Sequence, residues 1–290
     1  MRFALLLAVA LAGCSAVVPA APSSPAPLAS NETTEGALFI IGGGTRTDEL
    51  LDRMIAEADL APGRGYVVIL PMSSSEPDSA IWWSGEDFAL RGLTMVGFNF
   101  RAGEAPSAAR LDSLRRAPLI YISGGDQARF MAVVAGTPIA GAIADAYRGG
   151  SVVAGTSAGA AVMSARMLTG DQRLHPEYTP TYESLEPDNL DLATGLGLLD
   201  PHVLVDQHFV VRSRYNRLLT AVIEHPETLG VGIDESTAIL VRGRRAEVVG
   251  EAQVVVVRNP DRSATRQRGR LGAHGLRVDI FLAGESFSLE

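Results

Sequence analysis

The segment Gly-Thr-Ser-Ala-Gly at 155–159 has the spacing of a serine nucleophile placed in a tight turn. An apolar stretch at 151–154 predicts a strand before the turn, and the small residues after it predict a helix. Glycines two positions on either side of Ser157 let the backbone turn sharply and present the hydroxyl at the end of the strand. This nucleophile elbow predicts Ser157 as a nucleophile. Without its flanking elements, the same pattern also occurs by chance in chains rich in small residues.

The elbow also predicts where a negatively charged intermediate would be stabilised. A helix that begins at Ser157 leaves its first amides without partners, so the N–H of Ala158 can donate to the oxyanion. We expect a second donor from the turn after the predicted strand 118–123, at Gly125 and Asp126.

A serine hydroxyl needs a base to take its proton, and the chain has five histidines. His175, His202 and His225 lie near proline or acidic residues in predicted loops, and His274 lies in a polar stretch. His208 instead lies between an apolar run and a helical pattern, within the sequence Asp-Gln-His-Phe. We therefore predict His208 as the general base.

Arg212, Arg214 and Arg217 follow His208 closely. Arg214 and Arg217 are three residues apart and would share a helix face, for which an ordinary solvated face is the plain alternative. Next to a candidate base we favour ligand binding, since guanidinium groups grip carboxylates at two points.

A carboxylate is expected to orient the histidine. The segment Gly-Ile-Asp-Glu-Ser-Thr-Ala at 232–238 places Asp234 and Glu235 where an apolar strand begins, although a surface turn would also explain them. Either side chain could orient His208, and we prefer Glu235.

These residues require a fold that brings the ends of several strands together. Short apolar runs alternate with helical patterns up to residue 154, which predicts a parallel sheet buried by helices. The predicted strands of this part are 37–41, 66–70, 94–98, 118–123 and 151–154. After Glu235 the β-rich segments 237–241, 246–249, 252–257 and 276–282 predict an antiparallel extension of the main sheet. We predict one doubly wound α/β domain over 37–290, with a mostly parallel sheet and helices on both faces.

The composition excludes several classes of function. The 290 residues carry a formal net charge of −8, which argues against binding of nucleic acid because such binding needs a concentrated basic face. Cys14 is the single cysteine of the chain, so the folded domain has no internal disulfide, cysteine nucleophile or cysteine-rich metal site. With 47% hydrophobic residues, the chain can bury a large core.

The first residues predict export. Residues 1–14 begin with Arg2, continue as an apolar stretch and end in Leu-Ala-Gly-Cys, which resembles the lipobox of bacterial lipoproteins and predicts lipidation of Cys14. An ordinary signal peptide with an incidental cysteine is the alternative, and it also places the domain outside the cytoplasm. The Ala-, Pro- and Ser-rich stretch at 15–36 is typical of an extended tether. We expect an exported protein that meets the membrane only through a lipid anchor.

Five motifs, taken together and in order, resemble the cyanophycinases, relatives of the aspartyl dipeptidase called peptidase E. The similarity spans residues 39–240. The motifs are Ile-Gly-Gly-Gly at 41–44, Gly-Gly-Asp-Gln at 124–127, Gly-Thr-Ser-Ala-Gly-Ala-Ala at 155–161, Asp-Gln-His-Phe at 206–209 with the arginines that follow, and the segment 232–238. The resemblance implies a parallel sheet flanked by helices, as in class I glutamine amidotransferases, and a homodimer.

The resemblance further implies hydrolysis of the β-linked Asp-Arg polymer cyanophycin to β-Asp-Arg dipeptides by serine attack, with no metal and no cofactor. Ser157 would be the nucleophile, His208 the base and Glu235 the third member of the triad. The residues implied to line the substrate pocket are Gln127, Asp206, Gln207, Arg212, Arg214 and Arg217. Arginines would meet substrate carboxylates there, and acidic groups would meet the substrate guanidinium.

Two alternatives remain open. One is a peptidase of the same fold and triad that acts on other aspartyl or isoaspartyl peptides, and the three arginines favour cyanophycin over it. The other is a non-catalytic lipoprotein that binds arginine-containing peptides, against which the presence of all three triad residues argues. The glutamine amidotransferases use a cysteine nucleophile and are excluded by the serine at position 157.

Overall fold

The structure is a computed structural model, and it describes residue 1 and residues 35–177 and 182–290. The rest of the predicted signal peptide, including Cys14, and the predicted tether up to residue 34 lie outside the described residues. The helices of the described residues are α1 (Asp48–Glu57), α2 (Pro77–Leu90), α3 (Ala108–Arg115), α4 (Gln127–Val134), α5 (Pro138–Arg148), α6 (Ala158–Ala161) and α7 (Tyr215–Glu224). The strands are β1 (Ala37–Ile41), β2 (Val67–Leu70), β3 (Met95–Gly97), β4 (Leu119–Ile122), β5 (Val152–Thr156), β6 (Arg166–Gln172), β7 (Leu190–Thr194), β8 (Val203–Gln207), β9 (Leu229–Ile233), β10 (Thr237–Arg242), β11 (Arg245–Gly250), β12 (Val254–Arg258), β13 (Thr265–Gln267), β14 (Arg270–Gly272), β15 (Arg277–Phe281) and β16 (Ser286–Ser288).

Within the described residues, the main sheet has eight strands in the order β16, β11, β10, β1, β5, β4, β2, β3. The strands from β1 to β3 in this order are parallel to their neighbours. β10, β11 and β16 continue the sheet with antiparallel pairing. β1, β2 and β4 are fully buried runs of mainly aliphatic residues, as a sheet covered on both faces requires. The predicted, mostly parallel sheet with an antiparallel extension is confirmed.

Helices cover both faces of this sheet, as predicted. Phe39 of β1 belongs to one apolar cluster with Leu50 of α1 and Phe88 of α2. The next strand residue, Ile40, belongs to a second cluster with Ile143 of α5. Neighbouring residues of a strand point to opposite faces, so the two clusters are the two sides of the sheet.

A second sheet, in the order β15, β12, β9, β8, forms its own layer. The prediction that all strands after Glu235 extend the main sheet is therefore wrong for β12 and β15. β12 is buried on both faces: Val254 and Val256 join the main core, while Val255 and Val257 join a cluster with residues of α7. A strand with two buried faces needs a layer on each side, and the place between the main core and α7 provides both.

Two segments that the sequence left unassigned have regular structure. The segment before Arg91 contains α2, which begins with Pro77, a residue whose fixed backbone angle and missing N–H suit the first turn of a helix. The segment between Ser157 and His208 contains an antiparallel pair, β6 and β7, with a register shift between Leu168 and Gln172. The helix after the elbow is the short α6.

Among the described residues, no single helix is long and apolar enough to cross a membrane. The helices α4 and α5 reach the required length and composition only as a pair, and the chain bends by 99° at the break between them.

The carboxyl ends of β1, β5 and β4 lie side by side. Ile41 at the end of β1 is in register with Thr156 of β5, and Ile122 at the end of β4 is in register with Gly155. The elbow that follows β5 therefore lies between the turns that follow β1 and β4. This edge of the sheet carries the candidate active site, as is usual for open α/β sheets.

Candidate active site

Ser157 lies in a strained turn between β5 and α6. Its backbone angles are φ 53 and ψ −111, a conformation that residues with side chains rarely adopt. The flanking glycines are required by close backbone contacts. A Cβ atom at Gly155 would lie 2.3 Å from the carbonyl oxygen of Gly159, and one at Gly159 would lie 2.3 Å from that of Ile122. The turn is thus held by packing on both sides, with the serine at its tip.

The structure brings the three predicted triad residues together. Nε2 of His208 lies 2.9 Å from Oγ of Ser157, and Nδ1 of His208 lies 2.5 Å from Oε1 of Glu235. The carboxylate accepts the proton of Nδ1, which leaves Nε2 unprotonated and facing the serine hydroxyl. In this tautomer Nε2 can take the hydroxyl proton when Oγ attacks a carbonyl carbon.

The turn after β1 holds the histidine and the carboxylate in place. The carbonyl of Gly42 accepts the N–H of His208 at 2.7 Å, and the carbonyl of Gly43 accepts the N–H of Ser236 at 2.9 Å. A Cβ atom at Gly43 would lie 2.2 Å from Cε1 of the His208 ring, and one at Gly44 would lie 2.7 Å from Cβ of Glu235. These glycines belong to the Ile-Gly-Gly-Gly motif of the sequence. In the structure, their missing side chains leave room for the ring of His208 and the side chain of Glu235.

Asp234, the other carboxylate considered as the partner of His208, has a different role. Its Oδ1 accepts the N–H groups of Val210 and Val211 at 3.1 and 3.0 Å. These bonds fix the chain just after His208, whose own φ of 49 is in the left-handed region. Of the two adjacent carboxylates, the preferred one, Glu235, is the one that contacts His208.

Of the three expected oxyanion donors, Asp126 has a different role in the structure, and Ala158 and Gly125 stay predictions. Ala158 is the first residue of α6, so no carbonyl one turn earlier can accept its N–H. The N–H of Asp126 donates to the carbonyl of Ser73 at 2.8 Å, and its carboxylate accepts the N–H of Arg129 at 2.9 Å, which caps α4. The prediction that Asp126 donates to the oxyanion is therefore wrong, and its role is structural. Gly125, at φ 137, also packs closely on Ser73, where a Cβ would lie 2.2 Å from the carbonyl oxygen.

The two glutamines expected in the substrate pocket differ in position. Oε1 of Gln207 lies 3.5 Å from Oγ of Ser157, so this residue is beside the nucleophile. Nε2 of Gln127 instead donates to the carbonyls of Leu168 and Thr169 at 2.7 and 2.6 Å. Both of its amide protons therefore join α4 to β6. The prediction that this amide group contacts substrate is wrong, and its role is structural.

Three further residues that were expected to contact substrate are buried in the structure. They are Asp206, Arg214 and Arg217. Asp206 and Arg217 are only 1% and 4% exposed, and Nε of Arg217 donates to Oδ2 of Asp206 at 2.7 Å. Arg214 is buried as well, and its Nη1 donates to the carbonyl of Gln207 at 2.7 Å. A buried charge must be paired, so these groups are engaged in joining β8 to the start of α7.

Arg212 is the arginine of this group that reaches the surface. Its side chain is 46% exposed, and its Nε lies 4.0 Å from Oε1 of Glu235. The guanidinium is thus beside the triad and open to a ligand. Of the three arginines implied to bind substrate carboxylates, the structure leaves Arg212 as the accessible one.

The surroundings of His208 keep its ring neutral. Burial lowers the pKa of His208 below the ordinary value of 6.5, and the positive charges of Arg212 and Arg214 lower it further, whereas the hydrogen bond and the charge of Glu235 raise it. The net shift is downward. At neutral pH the imidazole is therefore unprotonated and able to act as a base.

A serine in a strained turn, bonded to a neutral histidine that a carboxylate orients, is the arrangement of a serine hydrolase at the edge of a parallel sheet. The chain belongs to peptidase family S51, whose family model matches residues 38–249. It is therefore a peptidase.

Curated relatives cover most of the chain. It is 34% identical over 271 residues to the cyanophycinase of Nostoc sp. (strain PCC 7120 / SAG 25.82 / UTEX 2576), an alignment that covers 89% of this chain and 87% of the relative. It is also 34% identical over 268 residues to the cyanophycinase of Synechococcus elongatus, covering 88% of this chain and 80% of the relative.

Solved structures share the fold. A peptidase from an acI-B1 Actinobacterium superposes with a TM-score of 0.67 at 21% identity, covering 88% of this chain and 98% of the other. A putative peptidase E protein from Listeria monocytogenes EGD-e superposes with a TM-score of 0.52 at 17% identity, covering 75% and 99%. These likenesses confirm the α/β architecture.

The electrostatics of His208 predict the pH dependence of activity. We expect the acidic limb of kcat/KM to have an apparent pKa below 6.5, because the neutral ring is active and burial disfavours its protonation. Arg212→Ala removes a positive charge that lowers this pKa, so the limb should move to higher pH. A profile measured with a soluble peptide at constant ionic strength checks this.

Arg212→Lys is the matched control, because it keeps the charge and loses the forked shape of the guanidinium. Its acidic limb should remain close to that of the wild type. If both variants shift the limb equally, the charge of Arg212 is not what lowers the pKa of His208.

Proposed function

We propose that this peptidase hydrolyses cyanophycin, the aspartate polymer with arginine side groups, and releases β-Asp-Arg dipeptides through an acyl-enzyme on Ser157. The observation that carries the reaction type is the unbroken hydrogen-bonded row of Ser157, His208 and Glu235. The substrate is proposed from the names of the curated relatives, which are cyanophycinases.

The proposed reaction has two halves. In the first, Nε2 of His208 takes the Ser157 proton as Oγ bonds to the scissile carbonyl carbon, and the N–H groups of Ala158 and Gly125 donate to the resulting oxyanion. The tetrahedral intermediate collapses, the carbon–nitrogen bond breaks, and the imidazolium returns its proton to the leaving amine. In the second half, water attacks the ester with His208 again as base, and the acid product leaves with Ser157 restored.

Glu235 has two roles in this sequence. It holds His208 in the tautomer that presents a lone pair to the hydroxyl, and its charge stabilises the imidazolium that forms during each half-reaction. The exposed guanidinium of Arg212 beside it supports a substrate that carries a carboxylate near the bond to be cut.

The direct test compares the wild type with Ser157→Ala on insoluble cyanophycin. We expect the wild type to clear the suspension and release β-Asp-Arg, and the variant to lose roughly 10⁶-fold in kcat because the nucleophile is gone. Loss of turbidity and product mass are measured together, and equal thermal unfolding of the two proteins is the control for folding.

The outcomes separate the proposed function from its alternatives. A wild type that leaves cyanophycin intact but cleaves soluble isoaspartyl dipeptides, with loss in Ser157→Ala, would replace the substrate and keep the mechanism. Cleavage of neither substrate, with retained binding of arginine-containing peptides, would indicate the non-catalytic lipoprotein.

We also propose that the protein is exported and anchored through lipid on Cys14. The apolar stretch that ends in Leu-Ala-Gly-Cys supports this proposal. In a bacterial host, the full chain should partition into the detergent phase, and Cys14→Ala should leave that phase because no acyl chain can be attached. Ser15→Ala is the matched control, and equal partitioning of Cys14→Ala and the wild type would contradict lipidation.

A homodimer is the assembly that we propose. β15 is the last strand of the second sheet and carries exposed Val278 and Ile280, and such an edge can pair with the same edge of a second copy. Light scattering should give the mass of two chains for the wild type and of one chain for Ile280→Lys. Leu90→Lys, at an exposed apolar position of α2, should keep the wild-type mass. A wild type with the mass of one chain would refute the dimer.

A further inference from the structure

Both tryptophans of the chain lie side by side at the surface of α2. They are Trp82 and Trp83, and they are 57% and 59% exposed. Tryptophan is highly buried on average in folded proteins, because leaving a large apolar side chain in water costs free energy. The other face of α2 packs in the core. Two neighbouring exposed indole rings on such a helix are typical of a binding surface.

The same face of α2 carries negative charge. Asp78 and Glu86 are exposed and stand four residues before and after Trp82, so the three lie in one row along the helix. Asp87 stands four residues after Trp83 and pairs with Arg46 at 2.7 Å. α2 itself contains no lysine or arginine. Indole rings next to carboxylates form a surface suited to a planar organic cation.

This surface is attached to the turn that holds the catalytic residues. Nη2 and Nη1 of Arg46 donate to the carbonyls of Trp83 and Ser84 at 2.7 and 2.9 Å. Arg46 follows Gly44 by two residues, a span of at most about 7 Å, and a Cβ at Gly44 would nearly touch Glu235. The tryptophan surface is therefore connected through Arg46 to the turn that contacts the catalytic residues.

We propose that Trp82, Trp83, Asp78 and Glu86 form a docking surface for guanidinium groups of a polymeric substrate, separate from the site of cleavage. Guanidinium stacks on indole faces, and each such exposed contact strengthens binding by about 2- to 5-fold. A polymer with many arginine side groups multiplies this gain, because contact at one point raises the effective concentration of the next. The identity of the polymer rests on the proposed function, whereas the preference for guanidinium rests on α2.

A second copy of the chain fits this surface less well than an arginine-rich polymer. A patch that itself forms the two-fold interface of a symmetric dimer faces the same patch of the other copy. Asp78 and Glu86 would then lie opposite carboxylates of the other copy, and like charges across an interface are unfavourable. The charge of the patch is complementary to a cationic ligand.

The test of polymer binding uses Ser157→Ala as background, so that the substrate persists, and measures how much protein sediments with insoluble cyanophycin. Replacing both tryptophans by alanine should weaken this binding at least 5-fold, and replacing both by phenylalanine should restore much of it. Leu90→Ala is the matched control, because Leu90 is 79% exposed on the same helix and has no ring.

The same substitutions in the active protein separate docking from cleavage. Loss of the two indoles should slow clearance of the polymer. It should leave kcat/KM unchanged for a short soluble substrate made of two β-Asp-Arg units joined by one peptide bond. Equal sedimentation of the double-alanine variant and the wild type would overturn the proposal, as would an equal loss with Leu90→Ala. A fall in mass by light scattering in the double-alanine variant would show instead that the patch joins two copies.

The proposal can also be tested if cyanophycin proves not to be the substrate. Trp82 and Trp83 are the only sources of tryptophan fluorescence in the chain, so their emission reports on this surface alone. Poly-L-arginine should change the emission at lower concentration than poly-L-lysine of equal length, because the planar guanidinium stacks better than an ammonium group. Equal responses to the two polymers, or none, would refute guanidinium recognition.

Discussion

The active site depends on the close approach of the turn after β1 to the ends of the second sheet. Two backbone hydrogen bonds, from the N–H of His208 to Gly42 and from the N–H of Ser236 to Gly43, join the layers at this point. A Cβ at Gly43 would lie 2.2 Å from Cε1 of the imidazole, so the ring packs against bare backbone. Since β1 is the direct neighbour of β5, the same turn fixes the base relative to the nucleophile. Rigid elements supply the geometry that catalysis requires.

Burial divides the charged residues of the site into two groups. Asp206 and Arg217 satisfy each other below the surface and join β8 to α7. Arg212 remains at the surface, where its charge acts on His208 and is available to a ligand. The buried pair is costly to form and more costly to break, since removal of one partner leaves an unpaired charge. The arginine cluster thus contains both the support of the site and its accessible cation.

The site and α2 differ in what they can recognise. The triad and its oxyanion donors act on one carbonyl group and are set by short, rigid turns. The exposed face of α2 has two aromatic rings and negatively charged carboxylates. Arg46 connects this face to the catalytic turn. The proposed separation of cleavage from docking would let a small active site act on a large polymer, because weak contacts outside the site keep the polymer nearby between cuts.

The sequence by itself determined the parallel strands before the elbow, the elbow and the triad residues, because buried strands are apolar runs, a tight turn depends on adjacent glycines and catalysis depends on the types of side chain. It did not determine that Asp126 bonds Ser73 or that Gln127 bonds β6, since those partners come from distant segments. Nor did it determine which arginines are buried or that β12 leaves the main sheet. The burial of these arginines and the position of β12 depend on how α7 packs against the second sheet. That packing is a property of the tertiary structure.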